Sequence, residues 1–161
     1  MSRPLAIALA TAATAAILAA GCASGGGTGP AGTASGGRPP ATPADFEGTV
    51  AELDRQHVAV SDVVSGDAGC NDPELVGPAI GLSASGADQA TPVRIHLYLF
   101  RDGPTYDRLR QAVDRCAATF VGDASAYVAI DARPFVATSQ GPWAPAFTAA
   151  VRAALTRASG G

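Results

Sequence analysis

The stretch VRIHLYLF, residues 93–100, is the clearest strand signal in the sequence and decides the fold. Its side chains alternate with the period of two that is typical of a β-strand with two different faces. The aliphatic residues Ile95, Leu97 and Leu99 lie on one face. The opposite face carries Arg94, His96, Tyr98 and Phe100. We therefore expect a central strand here, with its aliphatic face against a layer of helices.

Segments on either side of this strand also have strand character. AIGLSAS at 79–85 is joined to it by the turn-rich GADQATP, and AYVAID and FVATS follow at 126–131 and 135–139. HVAVSDVV at 57–64 is β-branched but alternates poorly. Two predictions stay open for that segment, which forms either a strand or a continuation of the helix before it.

Apolar residues at helical spacing predict three helices. The first places Phe46, Val50 and Leu53 on one face, the second begins at Asp102, and the third covers about residues 143–157. The order of helices and strands, with tight hairpins, indicates an α+β fold. We expect a small two-layer sandwich: a mostly antiparallel sheet of four to five strands, with three helices.

The charge of the chain restricts its partners. The 161 residues include 11 Lys and Arg and 14 Asp and Glu, for a formal net charge of −3. A mildly acidic chain lacks the basic surface that phosphate backbones require, so we expect no nucleic-acid partner.

Residues 1–21 have the pattern of an export signal, with Arg3 near the start, an uncharged apolar run and small residues at the end. The run ends in LAAGC at 18–22, which resembles the lipobox of bacterial lipoproteins. The resemblance implies a diacylglyceryl group on the Cys22 sulfur and cleavage just before it. The alternative is ordinary secretory cleavage after Ala23, which would release a secreted protein.

The segment that follows has the composition of a flexible tether. Residues 22–43 are rich in Gly, Ser, Thr and Pro and carry almost no apolar side chain, so they cannot form a packed core. Residues 44–161 hold the periodic sequence and are expected to form a single α+β globular domain. Two acyl chains on Cys22 would hold this domain at the outer face of the cytoplasmic membrane.

Four segments of the domain resemble parts of actinobacterial lipid-anchored lipoproteins of uncharacterised function. They read VVSGDAGC, HLYLFRD, YDRLRQAVDRCA and QGPWAP, and the resemblance covers most of residues 58–158. It supports the anchor and a disulfide, and it implies no catalytic residues.

A lipid on Cys22 leaves Cys70 and Cys116 as an even pair of thiols in an oxidising compartment. The sequence therefore predicts a disulfide between them. The alternative, a catalytic thiolate at Cys70, needs a base that the surrounding GDAGCND does not supply.

Three further patterns are weak signals of chemistry. GLSASG at 81–86 lacks the last Gly of a nucleophile elbow. A second pattern places four calcium-type oxygen ligands within eight residues, but not at EF-hand spacing. These ligands are Asp67, Asn71, Asp72 and Glu74. The two histidines, His57 and His96, lie far apart in the sequence. We therefore expect no metal, no cofactor and no enzymatic activity.

The best candidate for recognition is the polar face of the central strand. If helices cover the aliphatic face, then Arg94, His96 and Tyr98 emerge on the opposite one, which an antiparallel sheet can leave open to water. Such a face suits a protein or a small polar or anionic ligand. We expect a membrane-anchored extracytoplasmic binding module; the alternatives are an envelope hydrolase with an unrecognised site and a purely structural envelope protein.

The anchor is testable by replacing its only acceptor. Cys22→Ser should abolish metabolic labelling by a fatty-acid analogue and release the protein from the membrane, because serine offers no thioether site. Ser24→Ala, two residues away, should keep both properties. Wild-type protein that is found unlipidated in the medium, cleaved after Ala23, would contradict the lipobox interpretation.

Overall fold

The structure, a computed structural model, describes residues 43–160. The predicted signal segment, the lipid anchor at Cys22 and all of the predicted tether except Pro43 lie outside the described residues. Among the helices of residues 43–160, none combines the length and the hydrophobicity needed to cross a bilayer.

Five strands and four α-helices make up the described chain. The strands are β1 (Val58–Ser65), β2 (Ala79–Gly86), β3 (Gln89–Leu99), β4 (Tyr127–Ala132) and β5 (Phe135–Gln140). The helices are α1 (Glu47–Arg55), α2 (Pro73–Val76), α3 (Gly103–Ala117) and α4 (Pro145–Ala158). The strands form one sheet in the order β1-β2-β3-β5-β4, and all neighbours are antiparallel. The predicted α+β class is confirmed, and residues 58–65 form a strand rather than prolonging α1.

The helix starts follow from polar side chains next to proline. Asp72 precedes Pro73 and accepts a hydrogen bond from the Glu74 amide at the start of α2, which is a single turn. Asp102 does the same for α3 through the Thr105 amide at 2.8 Å. These caps explain where both helices begin, and the start of α3 at Asp102 agrees with the sequence prediction.

The connection between β2 and β3 is shorter than the predicted GADQATP turn, because β3 already begins at Gln89. Asp88, in the short turn that remains, caps the start of α4. The Asp88 carboxylate accepts hydrogen bonds from the Ala146 and Phe147 amides at 3.0 and 2.8 Å. These bonds hold the pKa of Asp88 below its usual value, and the bond from Ala146 has the largest effect. A hairpin turn thus supplies the N-terminal cap of a distant helix.

Helices lie against both faces of the sheet, so the predicted two-layer arrangement is wrong in this respect. On one face, α1 and α4 cover the aliphatic side of β3. The large side chains of this core are Phe46, Leu53, Ile80, Leu82, Ile95, Leu97, Phe147, Val151 and Leu155. On the other face, α2 and α3 cover the aromatic end of β3, with a core of Leu75, Tyr98, Phe100, Tyr106, Leu109, Val113 and Val136.

A network of charges and phenols fastens α3 to β4. Arg110 binds Asp131 at 2.5 Å and Asp114 at 2.6 Å. Tyr106 donates to Asp131 at 2.7 Å, and Tyr127 donates to Asp114 at 2.8 Å. Burial alone would raise the pKa of Asp131, but the hydrogen bonds from Arg110 and Tyr106 outweigh it and lower the pKa. The network therefore locks the second helical layer onto the sheet edge.

Cys70 and Cys116 lie where the predicted disulfide requires them. Their Sγ atoms are 1.95 Å apart and their Cα atoms 5.5 Å apart. Cys116 is buried on the inner face of α3, and Cys70 lies in the loop between β1 and α2. The pair ties this loop to the helix that lies over the same face of the sheet.

The disulfide should contribute a large share of the stability. It spans 46 residues, and the chain-entropy model assigns a loop of this length about 4 kcal/mol. The double variant Cys70→Ala and Cys116→Ala should lose about this much unfolding free energy in urea titrations. Wild-type protein in reductant should behave like the variant. An unchanged unfolding midpoint, or two titratable thiols in protein isolated without reductant, would contradict this role.

Candidate functional site

The predicted recognition residues share one face but are not open to water together. His96 pairs with Gly81 on one side and Thr138 on the other, so it points away from the aliphatic core. Tyr98 is 0% and His96 6% exposed, and only Arg94 is partly exposed. The prediction of an open binding face is therefore wrong. The reason is that a second layer covers this half of the sheet. The layer consists of α3 and the disulfide loop, which is the loop between β1 and α2 that contains Cys70.

Tyr98 belongs to the core. Its hydroxyl donates to the Ala68 carbonyl at 2.7 Å, and its ring stacks near that of Phe100. Burial raises the pKa of Tyr98 to about 12. The phenol thus stays neutral and ties the disulfide loop to the sheet.

His96 is covered by Phe120, with ring centroids 4.5 Å apart. Its Nδ1 lies 3.3 Å from the Asp67 carbonyl and 3.5 Å from the Asp67 carboxylate. Burial lowers the pKa of His96, and the Asp67 charge only partly opposes this. The imidazole is therefore neutral at pH 7.

Asp67, which the sequence presents only as a weak calcium-type ligand, is the centre of this cluster. Its carboxylate accepts from Arg94 Nη2 at 2.5 Å and from the Gly69 amide at 2.9 Å. Burial would raise the pKa of Asp67, but these two hydrogen bonds and the nearby His96 together lower it. A Cβ at Gly81, below the ion pair, would lie 2.2 Å from Asp67 Oδ2. The close packing therefore requires glycine at position 81. No local sequence pattern predicts the pairing of Asp67 with Arg94.

The four acidic and amide residues weighed as calcium ligands do not converge. Asp67 binds Arg94, Asp72 caps α2, and Glu74 pairs with Arg108 at 2.6 Å. No group of three or more His, Cys, Asp or Glu side chains within residues 43–160 is arranged to hold a metal ion.

The two histidines lie near opposite ends of the GLSASG segment. His57 is exposed and precedes β1, whose first residue, Val58, pairs with Gly86 at the end of β2. His96 instead pairs with Gly81. Ser83 and Ser85 lie inside β2 rather than at a strand-to-helix turn. The two histidines therefore do not meet, and the serines do not form a nucleophile elbow.

The α1–β1 groove is a cavity of about 730 Å³ between helix α1 and strand β1. Its lining is mainly aliphatic, and two carboxylates, Glu47 and Asp54, lie at its rim. The aliphatic lining residues are Val50 and Ala51 of α1 and Val58, Val60 and Val63 of β1. The groove is a surface that suits apolar side chains.

Strand β1 leaves one edge of the sheet without a strand neighbour among residues 43–160. The large hydrophobic residues exposed in this part of the chain are Val63 at 36% and Val64 at 49%. A register shift between Ser61 and Val64 marks a bulge, at which Asp62 has a φ of +50°. Because of the bulge, Val63 turns into the α1–β1 groove, whereas Val64 pairs with Gly81 on the His96 face. The poor alternation of HVAVSDVV was the signal of this bulge.

The described residues therefore form a small antiparallel α+β domain with an apolar, acid-rimmed groove at one sheet edge. No protein-family model matches the chain, and comparison with curated proteins and with solved structures likewise finds no match. The groove is accordingly interpreted from its own chemistry.

The buried histidine should make stability depend on pH. The unfolded chain titrates its histidine near 6.5, whereas the folded pKa of His96 is lower. Between pH 6.5 and the lower folded pKa, the unfolded state binds more protons than the folded state. The free energy of unfolding should therefore decrease as the pH is lowered through this range. His96→Gln should reduce this dependence, and His57→Gln, at an exposed position, should keep it. The measurement is a series of urea titrations between pH 7 and 5. If the unfolding free energy depended on pH equally in the wild type and both variants, the role given to His96 would be contradicted.

Proposed function

We propose that the protein is a lipid-anchored extracytoplasmic binding module without enzymatic activity, which presents the α1–β1 groove to a protein partner. LAAGC at 18–22 supports the anchor and a position at the outer face of the cytoplasmic membrane. The pairing of Cys70 with Cys116 suits an oxidising compartment.

The observation that carries the proposal is the apolar character of this sheet edge. Monomeric proteins usually protect an edge strand with charge, proline, a bulge or a covering element. β1 has a bulge at Asp62, but Val60 and Val63 on either side of it still line a solvent-open groove. Exposed contiguous apolar surface of this kind is typical of protein interaction sites.

The Asp67–Arg94–His96 cluster is assigned to structure rather than to chemistry. The two Arg94 Nη atoms donate to Asp67 and to the Asp62 carbonyl. His96 lies beneath Phe120, and the hydroxyl of Tyr98 is bound to a carbonyl. These polar groups are used in holding the loop between β1 and α2 against the sheet, which supports a binding role for the groove rather than catalysis at the cluster.

The proposal is tested in intact cells with a photocrosslinking amino acid. Placed at Val63, in the α1–β1 groove, it should give a discrete adduct with an envelope protein. At Ala149, on the exposed side of α4, it should not. Combined with Cys22→Ser, the Val63 adduct should weaken, because the protein leaves the membrane. Absence of any adduct at Val63, or the same adduct at Ala149, would overturn the proposal.

A further inference from the structure

We propose that the α1–β1 groove receives an extended polypeptide segment, which pairs with the free edge of β1 as an additional strand. The segment would carry apolar residues at alternate positions and Arg or Lys at its ends. This inference rests on the proposed function, since it names the partner class of the same surface.

The geometry of α1 and β1 favours strand addition. α1 packs over the inner face of β1, and its Val50 and Ala51 line the same groove as Val60 and Val63. An added strand would lie about 4.8 Å beyond β1. Every second side chain of that strand would then point into the groove, while its backbone pairs with β1. Strand addition gains affinity from main-chain hydrogen bonds and specificity from such alternating pockets.

The apolar stripe of α1 is wider than the core that it covers. Phe46 and Leu53 are buried, but Val50, expected on the same face, is only partly covered, and Thr49 is buried in its place. The side of α1 that bears Val50 therefore extends past the sheet edge. A sixth strand would complete the burial that five strands leave unfinished.

The charges at the groove indicate the ends of the partner segment. Glu47 and Asp54 are both exposed at the rim and are two helical turns apart, about 10 Å. No Arg or Lys lines the groove, and the chain as a whole has a net charge of −3. A segment with basic residues flanking its apolar core complements this pattern.

The same charges disfavour a second copy as the occupant. Antiparallel pairing of two β1 strands would bring the acidic rims of two α1 helices toward each other. The chain's own residues 23–42 are also poorly suited, because they include no Val, Leu, Ile or aromatic residue to fill the groove. The favoured occupant is therefore a basic, apolar segment of another protein.

The test uses the full chain in detergent and defined synthetic peptides as probes. The parent peptide alternates Val and Thr over four residues, the length of the regular stretch 58–61 that precedes the bulge in β1, and carries an additional Arg pair at each end. Fluorescence anisotropy should show binding, and a version with Glu in place of Arg should bind at least about tenfold more weakly. Failure of the parent peptide to bind, or equal binding of the two peptides, would overturn the proposed partner class.

Backbone methylation tests strand pairing itself. One peptide is N-methylated at every Val and another at every Thr, so each loses the hydrogen-bond donors along one edge only. One of the two should lose binding and the other should keep it, because only one edge faces β1. Equal effects of the two modifications would overturn strand addition.

Matched variants locate the site on the protein. Val63→Gln, in the groove, should weaken peptide binding at least about tenfold, whereas Val64→Gln, adjacent but on the opposite face, should not. Glu47→Gln with Asp54→Asn should weaken binding. Ala149→Lys with Thr156→Lys changes the net charge equally but lies on α4, and should not weaken it. Equal effects within either pair would overturn the location.

The remaining outcomes separate this inference from the proposed function. Self-association of the full chain that Val63→Gln abolishes would assign the groove to a second copy and overturn the basic partner. Tighter peptide binding after deletion of residues 23–42 would assign it to the chain's own segment. If the peptides fail but the Val63 crosslink in cells persists, the binding module stands and only its partner class is wrong.

Discussion

Strand β3 has apolar side chains on both faces, and the rest of the structure depends on covering both. Leu97 points toward α1 and α4, while the next residue, Tyr98, points toward α3 and the loop between β1 and α2. One helical layer would leave the aromatic end of β3 in water. The second layer, the disulfide and the Tyr98 bond to the Ala68 carbonyl all meet this requirement.

The polar residues at the boundary of this second layer have a structural logic. The loop between β1 and α2 lies on a sheet, so its backbone groups need partners that a neighbouring strand would otherwise supply. Asp67 binds the Gly69 amide within the loop and Arg94 on β3. His96 lies beside the Asp67 carbonyl. Asp67, Arg94 and His96 thus fix one loop in place, and the groove that we propose for recognition lies elsewhere.

The helices and strands could be predicted from the sequence, whereas the packing that covers their faces could not. Alternation in 93–100 and the helix start at Asp102 are local signals, and the structure contains the strand and the helix that they predict. Covering of the face that holds His96 depends on α3 and the disulfide loop, which no local pattern encodes. The groove was missed because Val50 has a core-facing pattern. Its partial exposure reflects where the sheet ends, a property of topology.

The bulge in β1 has a consequence for the proposed tethering of this protein to a bilayer. Copies confined to one plane meet far more often than copies in bulk solution, and a smooth, regular edge would invite them to join into ribbons. Asp62, with its left-handed backbone, interrupts the edge, and its carbonyl is occupied by Arg94. The bulge and the carboxylates of α1 would therefore disfavour polymerisation of neighbouring copies. They would leave a short stretch of β1 available to pair with a segment of a different protein.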